Sequence, residues 1–132
     1  IEHKSAIPEP LRPLIGNRIF GCDDCQLVCP HNREAPVGAM DFSPRHDLDA
    51  SALLDLFQWS EIDFDHYTQG SPIRRLGYDR WLRNLAVALG NAPADRRTLE
   101  ALQKRRIGAS ELVDEHIVWA IDQHEARLNS QA

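Results

Sequence analysis

Residues 7–30 read IPEPLRPLIGNRIFGCDDCQLVCP, and this stretch decides how the rest of the chain must be organised. Proline recurs at Pro8, Pro10, Pro13 and Pro30, and glycine at Gly16 and Gly21. Each proline fixes φ and removes an amide donor, so long regular structure is excluded and only short helices fit. One is expected from Pro10 to Gly16 and a second from Asp23 through Val28. The three cysteines of the chain all lie here, as Cys22-x2-Cys25-x3-Cys29-Pro30. An odd, clustered set of thiols is not a disulfide framework. Clustered thiols of this kind serve metal or redox sites in reducing compartments, so the expected location is cytoplasmic.

The spacing C-x2-C-x3-C-P is that of the end of a bacterial ferredoxin motif, in which the last cysteine ligates a different cluster from its neighbours. The geometry explains this. A short turn lets Cys22 and Cys25 reach adjacent irons, while Cys29, preceding Pro30, is pushed into extended backbone and points away. A zinc site with His31 as fourth ligand, a Cys3His set, is the competing reading. Three cysteines shared by two [4Fe–4S] clusters leave ligands to be supplied from before Ile1 or from another chain. Because its Pro and Gly residues bury little, this front segment is expected to be mobile without metal.

Beyond residue 49 the pattern turns helical. Ala52, Leu53, Leu56 and Phe57 share one face, and a second short helix fits Ser60 to Tyr67. Ser71 reads as an N-cap with Pro72 at the first helical position. In the helix that follows, Tyr78, Leu82, Leu85 and Leu89 recur on one face with Trp81 and Ala88 beside them. Gly90 and Asn91 sit where an αL cap would end it. Leu99 and Leu102 mark a further helix closed by Gly108, and Ser110 opens a last one burying Val113, Ile117, Ala120 and Ile121. Aligning the two longer helices pairs Trp81 with Val113, Leu85 with Ile117, Ala88 with Ala120 and Leu89 with Ile121. An offset of about 32 residues is in the range of stacked helical-pair repeats, although two unrelated amphipathic helices in a small bundle would also align. The expected division is 1–45 for the cysteine segment and 46–132 for the helical one.

At 132 residues, 42% apolar and 27% charged, the composition is that of a globular chain. No apolar run nears the roughly 18 residues of a membrane span, and no signal peptide is evident. The chain opens on Ile1, which is one reason to expect a piece of something longer. The net charge is −5, yet between Pro72 and Arg106 nine basic residues face three acids, a net of +6. Clustered arginines suit phosphate contacts, and Arg74, Arg75 and Arg83 are the candidates for touching RNA. A solvated face ion-paired to Asp79 and Asp95 is the alternative. Trp81 and Trp119 lie near apolar faces and read as core; Trp59 falls in an inter-helix turn that leaves its role open. His3, His46, His66, His116 and His124 show no metal-ligand pairing.

Residues 7–30, together with Ser71-Pro-Ile-Arg-Arg-Leu-Gly77 and Trp81-Leu-Arg-Asn-Leu-Ala-Val-Ala-Leu-Gly-Asn91, resemble the epoxyqueuosine reductases over nearly the whole chain. The resemblance implies a mainly α fold: a loop-rich, ferredoxin-like cluster-binding segment followed by a HEAT-like helical repeat. It implies an oxidoreductase that reduces epoxyqueuosine to queuosine in a tRNA anticodon loop, using two [4Fe–4S] clusters and a cobalamin. By it, Cys22 and Cys25 ligate one cluster and Cys29 completes the other, with the remaining ligands, the cobalamin domain and the catalytic acid before Ile1. A catalytic residue is therefore expected nowhere in this chain, and the fragment alone is expected to be inactive. The implied partners are tRNA and an electron donor, with no membrane and a monomeric state. Members of that family often carry Trp after the Cys-Pro pair, where this chain has His31; that residue is either a cluster neighbour or a partly exposed loop residue. A cobalamin-dependent dehalogenase relative is the nearest enzymatic competitor, disfavoured by the arginine-rich helices. The non-enzymatic alternative is an electron-transfer ferredoxin module fused to a helical interaction domain.

Overall fold

A computed structural model describes residues 2–35, Leu48 and 52–130. Every regular element among them is helical. The front segment holds a 3-10 turn, Glu9–Leu11, then α1 (Arg12–Ile15), α2 (Asp24–Leu27) and a second 3-10 turn, Pro30–Asn32. The body comprises α3 (Leu53–Gln58), α4 (Glu61–Tyr67), a 3-10 turn at Pro72–Leu76, α5 (Tyr78–Asn91), α6 (Arg96–Arg105) and α7 (Glu111–Ser130). The expected boundary between residues 45 and 46 lies outside the described residues, as does His46.

Local chemistry sets the helix starts. Ser60 Oγ accepts from the Asp63 amide at 3.2 Å while Asp63 Oδ2 accepts from the Ser60 amide at 2.9 Å, a reciprocal capping box at the head of α4. Asp95 caps α6 by accepting from the Thr98 amide at 3.0 Å. Ser110 accepts from the Val113 amide at the start of α7. Ser71 does act as a cap, but of the 3-10 turn rather than of the long helix. Gly77, at φ +78°, separates that turn from α5, which begins only at Tyr78.

α5 is the axis of the fold. Residues 81–90 are all buried, as expected of a helix covered on every side. α3 packs against it, and α7 runs along it with α6 against α7. Trp81 and Trp119 are both core residues. Trp59 belongs to the packing too: its ring stacks on Trp81 with centroids 5.7 Å apart, and its carbonyl accepts from the Tyr78 hydroxyl at 2.6 Å.

Gly90 corrects the expected helix end. It lies inside α5, and a Cβ there would fall 2.5 Å from Cζ3 of Trp119 and 3.0 Å from Cα of Ala120. The residue lets the α5 and α7 backbones approach where any side chain would collide. Asn91 is likewise no αL cap. It is the last residue of α5, and its amide donates to the carbonyls of Arg12 at 2.8 Å and Gly16 at 3.0 Å.

Candidate functional site: the cysteine turn and its strap

Residues 2–19 form a strap across the helical body, tied down by polar side chains from α5 and α7. Arg83 Nη1 donates to the carbonyls of His3 and Ser5, both at 2.8 Å. Its Nε and Nη2 donate to Asn84 Oδ1 at 3.0 and 2.9 Å. Asn84 in turn donates to the Ile19 carbonyl at 2.8 Å. From α7, His116 Nε2 accepts from the Ile7 amide at 2.9 Å, with Nδ1 bonded to the Leu112 carbonyl at 2.7 Å. That pattern requires a neutral ring with the proton on Nδ1, and burial, the largest cause, lowers the His116 pKa accordingly. Arg12 is buried over the Trp119 ring, donates to the Ile7 carbonyl at 2.9 Å and is ion-paired with Glu115.

These ties revise the premise that the whole front segment buries little: Ile7 and Arg12 are buried. They also remove Arg83 from the RNA-facing set. Its side chain is 2% exposed and its donors are consumed by backbone carbonyls and Asn84, so a phosphate has no access to it. Periodicity offered no signal for Arg83, Asn84, Asn91 or His116 as anchors, since their partners lie 65 to 109 residues away.

The cysteine turn emerges where the strap ends. Gly21 at φ +71° reverses the chain into Cys22. α2 is a single turn carrying Cys25, and Cys29 adopts extended backbone (φ −68°, ψ 121°) before Pro30, as the Cys-Pro sequence expects. Asn32 Nδ2 donates to the Gln26 carbonyl at 3.1 Å and braces the turn from its far side. Cys22 and Cys25 are exposed and Cys29 is half-buried; all three are free thiols. Around them, Leu14, Leu27 and Val28 are exposed by 75% or more. A cavity of about 660 Å³ lined by Ile7, Leu11, Leu14, Ile19 and Val87 opens beside Gly21 and Cys22.

Among the described residues, no three His, Cys, Asp or Glu side chains come together to hold one ion. A Cys3His site with His31, itself exposed in the 3-10 turn, is therefore not assembled. The donor types do fit an iron–sulfur cluster shared with other ligands: soft thiols on a tight turn, two of them exposed, with extended backbone at the last.

The other arginines divide by environment. Arg74 is exposed and ion-paired with Asp65, and Arg75 is exposed. Arg106 pairs with Asp114 at 2.7 Å. Arg105 is committed to α3, donating to the carbonyls of Phe57 at 2.8 Å and Trp59 at 3.1 Å. Arg96, Arg97 and Lys104 are exposed on α6. Among the described residues the remaining histidines join no metal-ligand cluster: His124 is buried between the Asp95 amide and the Leu89 carbonyl, and His3 bonds locally to Ala6. Among the described residues, no helix is long and apolar enough to cross a membrane.

Among the described residues, the chain is of the class of mainly helical proteins that carry clustered cysteines, two exposed and one half-buried, on a short turn. Comparison with known proteins shows what the chain is similar to. The chain is 63% identical over 125 residues to an epoxyqueuosine reductase of Pseudomonas aeruginosa, covering 94% of this chain and 35% of that protein. It is 58% identical over 131 residues to the epoxyqueuosine reductase of Escherichia coli (98% and 34%) and 57% identical over 125 residues to that of Xanthomonas campestris (94% and 35%). No family model and no solved structure matches the chain. Along nearly all of its own length the chain is homologous to epoxyqueuosine reductases, and it spans about a third of the length of the curated relatives it matches.

Proposed function

We propose that this chain is the carboxy-terminal portion of an epoxyqueuosine reductase, an oxidoreductase that converts epoxyqueuosine to queuosine in tRNA. The observation that carries the reading is the Cys22–Cys25–Cys29 turn, which among the described residues is not completed as a metal site, in a chain at least 57% identical to three proteins of that name. In it, Cys22 and Cys25 ligate one [4Fe–4S] cluster and Cys29 the other, with the remaining ligands and the cobalamin held by the rest of the protein. When bound, the clusters and cobalamin supply the electrons and the reactive centre for opening the epoxide.

This chain's own residues contribute position. Arg83, Asn84, Asn91 and His116 hold the strap, and the strap delivers Gly21 and Cys22 at a fixed edge of the helical body. The apolar side chains around the turn are suited to excluding water once covered. The helical body acts as the tRNA-docking module. A HEAT-like stacking is supported by the alignment of α5 with α7 and by their contacts: Arg83 and His116 bind the strap two residues apart, at Ser5 and Ile7, while Leu89 and Gly90 meet His124, Trp119 and Arg127. The two helices thus run the same way, as equivalent helices of successive repeats do. Arg74 and Arg75 remain the candidates for phosphate contact, joined by the exposed Arg96, Arg97 and Lys104. The protein is cytoplasmic and monomeric in this reading, and takes electrons from a separate donor.

Iron and sulfide analysis of the complete, anaerobically reconstituted protein tests it. Two clusters correspond to about eight irons, and Cys22→Ser and Cys29→Ser each reduce the content of a different cluster. Stoichiometric zinc, or full iron retention in all three Cys→Ser variants, would overturn it.

A further inference from the structure

The best-defined polar contact in the cysteine turn is made by Arg18. Its Nη2 donates to both oxygens of Asp24, at 3.1 and 2.9 Å, and Nη1 donates to the Ile15 carbonyl at 3.3 Å. The pair joins the end of α1 to the first residue of α2, and Gly21 and Cys22 lie inside the loop it closes. Arg18, Cys22 and Asp24 also share the rim of the apolar cavity. The Arg18 pKa is raised chiefly by its hydrogen bond to Asp24, then by the Asp24 charge and, less strongly, by Cys22. Both side chains are well exposed, 43% and 59%. A surface pair of that kind adds little to stability, so its consequence is to be sought in the turn's chemistry.

We infer that Arg18, held by Asp24, is a positioning residue for Cys22: it closes the Gly16–Asp24 loop and sets a permanent positive charge beside the thiolate, raising the midpoint potential of the cluster that Cys22 ligates. This rests on the reading that Cys22 is a cluster ligand. One-electron reduction adds one negative charge to a thiolate-bound cluster, and a fixed cation nearby favours the more negative state. Arg18 stays charged throughout the working pH range, and its exposure makes the effect sensitive to salt. Lysine retains the charge but not the planar fork that reaches Asp24 and the Ile15 carbonyl together.

Potentiometric titration of the complete, cluster-loaded protein, followed by EPR, reads the effect directly. Arg18→Gln lowers the midpoint of one cluster and leaves the other unchanged, and Arg18→Lys restores part of the shift. Asp24→Asn removes a negative charge and moves the same midpoint the opposite way. Both shifts shrink as salt is raised. Two variants that move the potential in the same direction indicate a merely structural pair and overturn the inference, as does no shift in either. A second measurement needs no cluster. In the complete protein stripped of metal, alkylation of Cys22 by iodoacetamide is timed against Cys25 by mass spectrometry. Arg18→Gln slows Cys22 several-fold relative to Cys25, and an unchanged ratio overturns the clamp. Should the unaltered protein hold no iron while this selective slowing persists, the cluster reading and the potential shift fail together and the clamp on Cys22 stands.

Discussion

The strap at residues 2–19 and the cysteine turn that follows it belong to one continuous, proline-rich stretch, yet they are held in opposite ways. The strap, for all its two short helical turns, owes its place to side chains from elsewhere: Arg83, Asn84 and Asn91 on α5, and His116 on α7. The turn has a local fold of its own, built from α2, the Arg18–Asp24 pair and Asn32, and Leu27 and Val28 on it are exposed by 81% and 75%. One region is fixed by the body; the other is shaped locally and offers its thiols outward. Irregular sequence therefore does not mean unanchored backbone, because buried polar side chains can supply what a helix or sheet would have supplied.

That contrast can be broken most forcefully at Arg83. Arg83→Met leaves the carbonyls of His3 and Ser5 and the amide oxygen of Asn84 without their donor. Loss of buried, charge-assisted bonds of this kind costs about 3 kcal/mol, to be read from the urea midpoint of the chain. His116→Ala strands the buried Ile7 amide and costs about 2 kcal/mol by the same measure, with faster amide exchange expected at Ile7 and no change at Cys25. Acidification acts on the same tie. His116 has a folded pKa below the ordinary 6.5, so the unfolded chain binds the proton first. Its contribution is complete above pH 6.5 and is lost as pH falls from there through the depressed folded value. The stability profile of His116→Ala should lack that fall; an unchanged profile assigns it to another group. The smallest effect is expected on the other side of the comparison. Cys22→Ser and Cys25→Ser alter the stability of the metal-free chain by less than about 0.5 kcal/mol, because the side chains touch little.

The same division explains what sequence reasoning can reach. The longer helices announce themselves through local chemistry: apolar spacing along α5 and α7, the cap at Ser110, and glycine just past α6. The cysteine spacing is equally local. What escapes is decided at a distance. Gly90-Asn91 has the composition of a helix cap, and only the approach of Trp119 and Ala120 makes it an interior contact. Arg83 lies among residues that favour phosphate contact, and its burial depends on a strap 80 residues earlier in the chain. Arg74 and Arg75 stayed exposed as expected, but exposure permits a contact with RNA without specifying one.

The span of the Ile7–His116 bond carries a consequence for synthesis. His116 follows Ile7 by 109 residues, so the thiols leave the ribosome well before the residue that pins their support. At elongation rates of about 5–20 residues per second, Cys29 precedes His116 by roughly 4–17 s. During that interval the cysteines are present on a nascent chain whose scaffold is unfinished, and they are open to oxidation or to the wrong metal. On the proposed cluster-ligand reading, loading is therefore a matter of timing as well as affinity, and anything that slows translation between α3 and α7 lengthens the exposure.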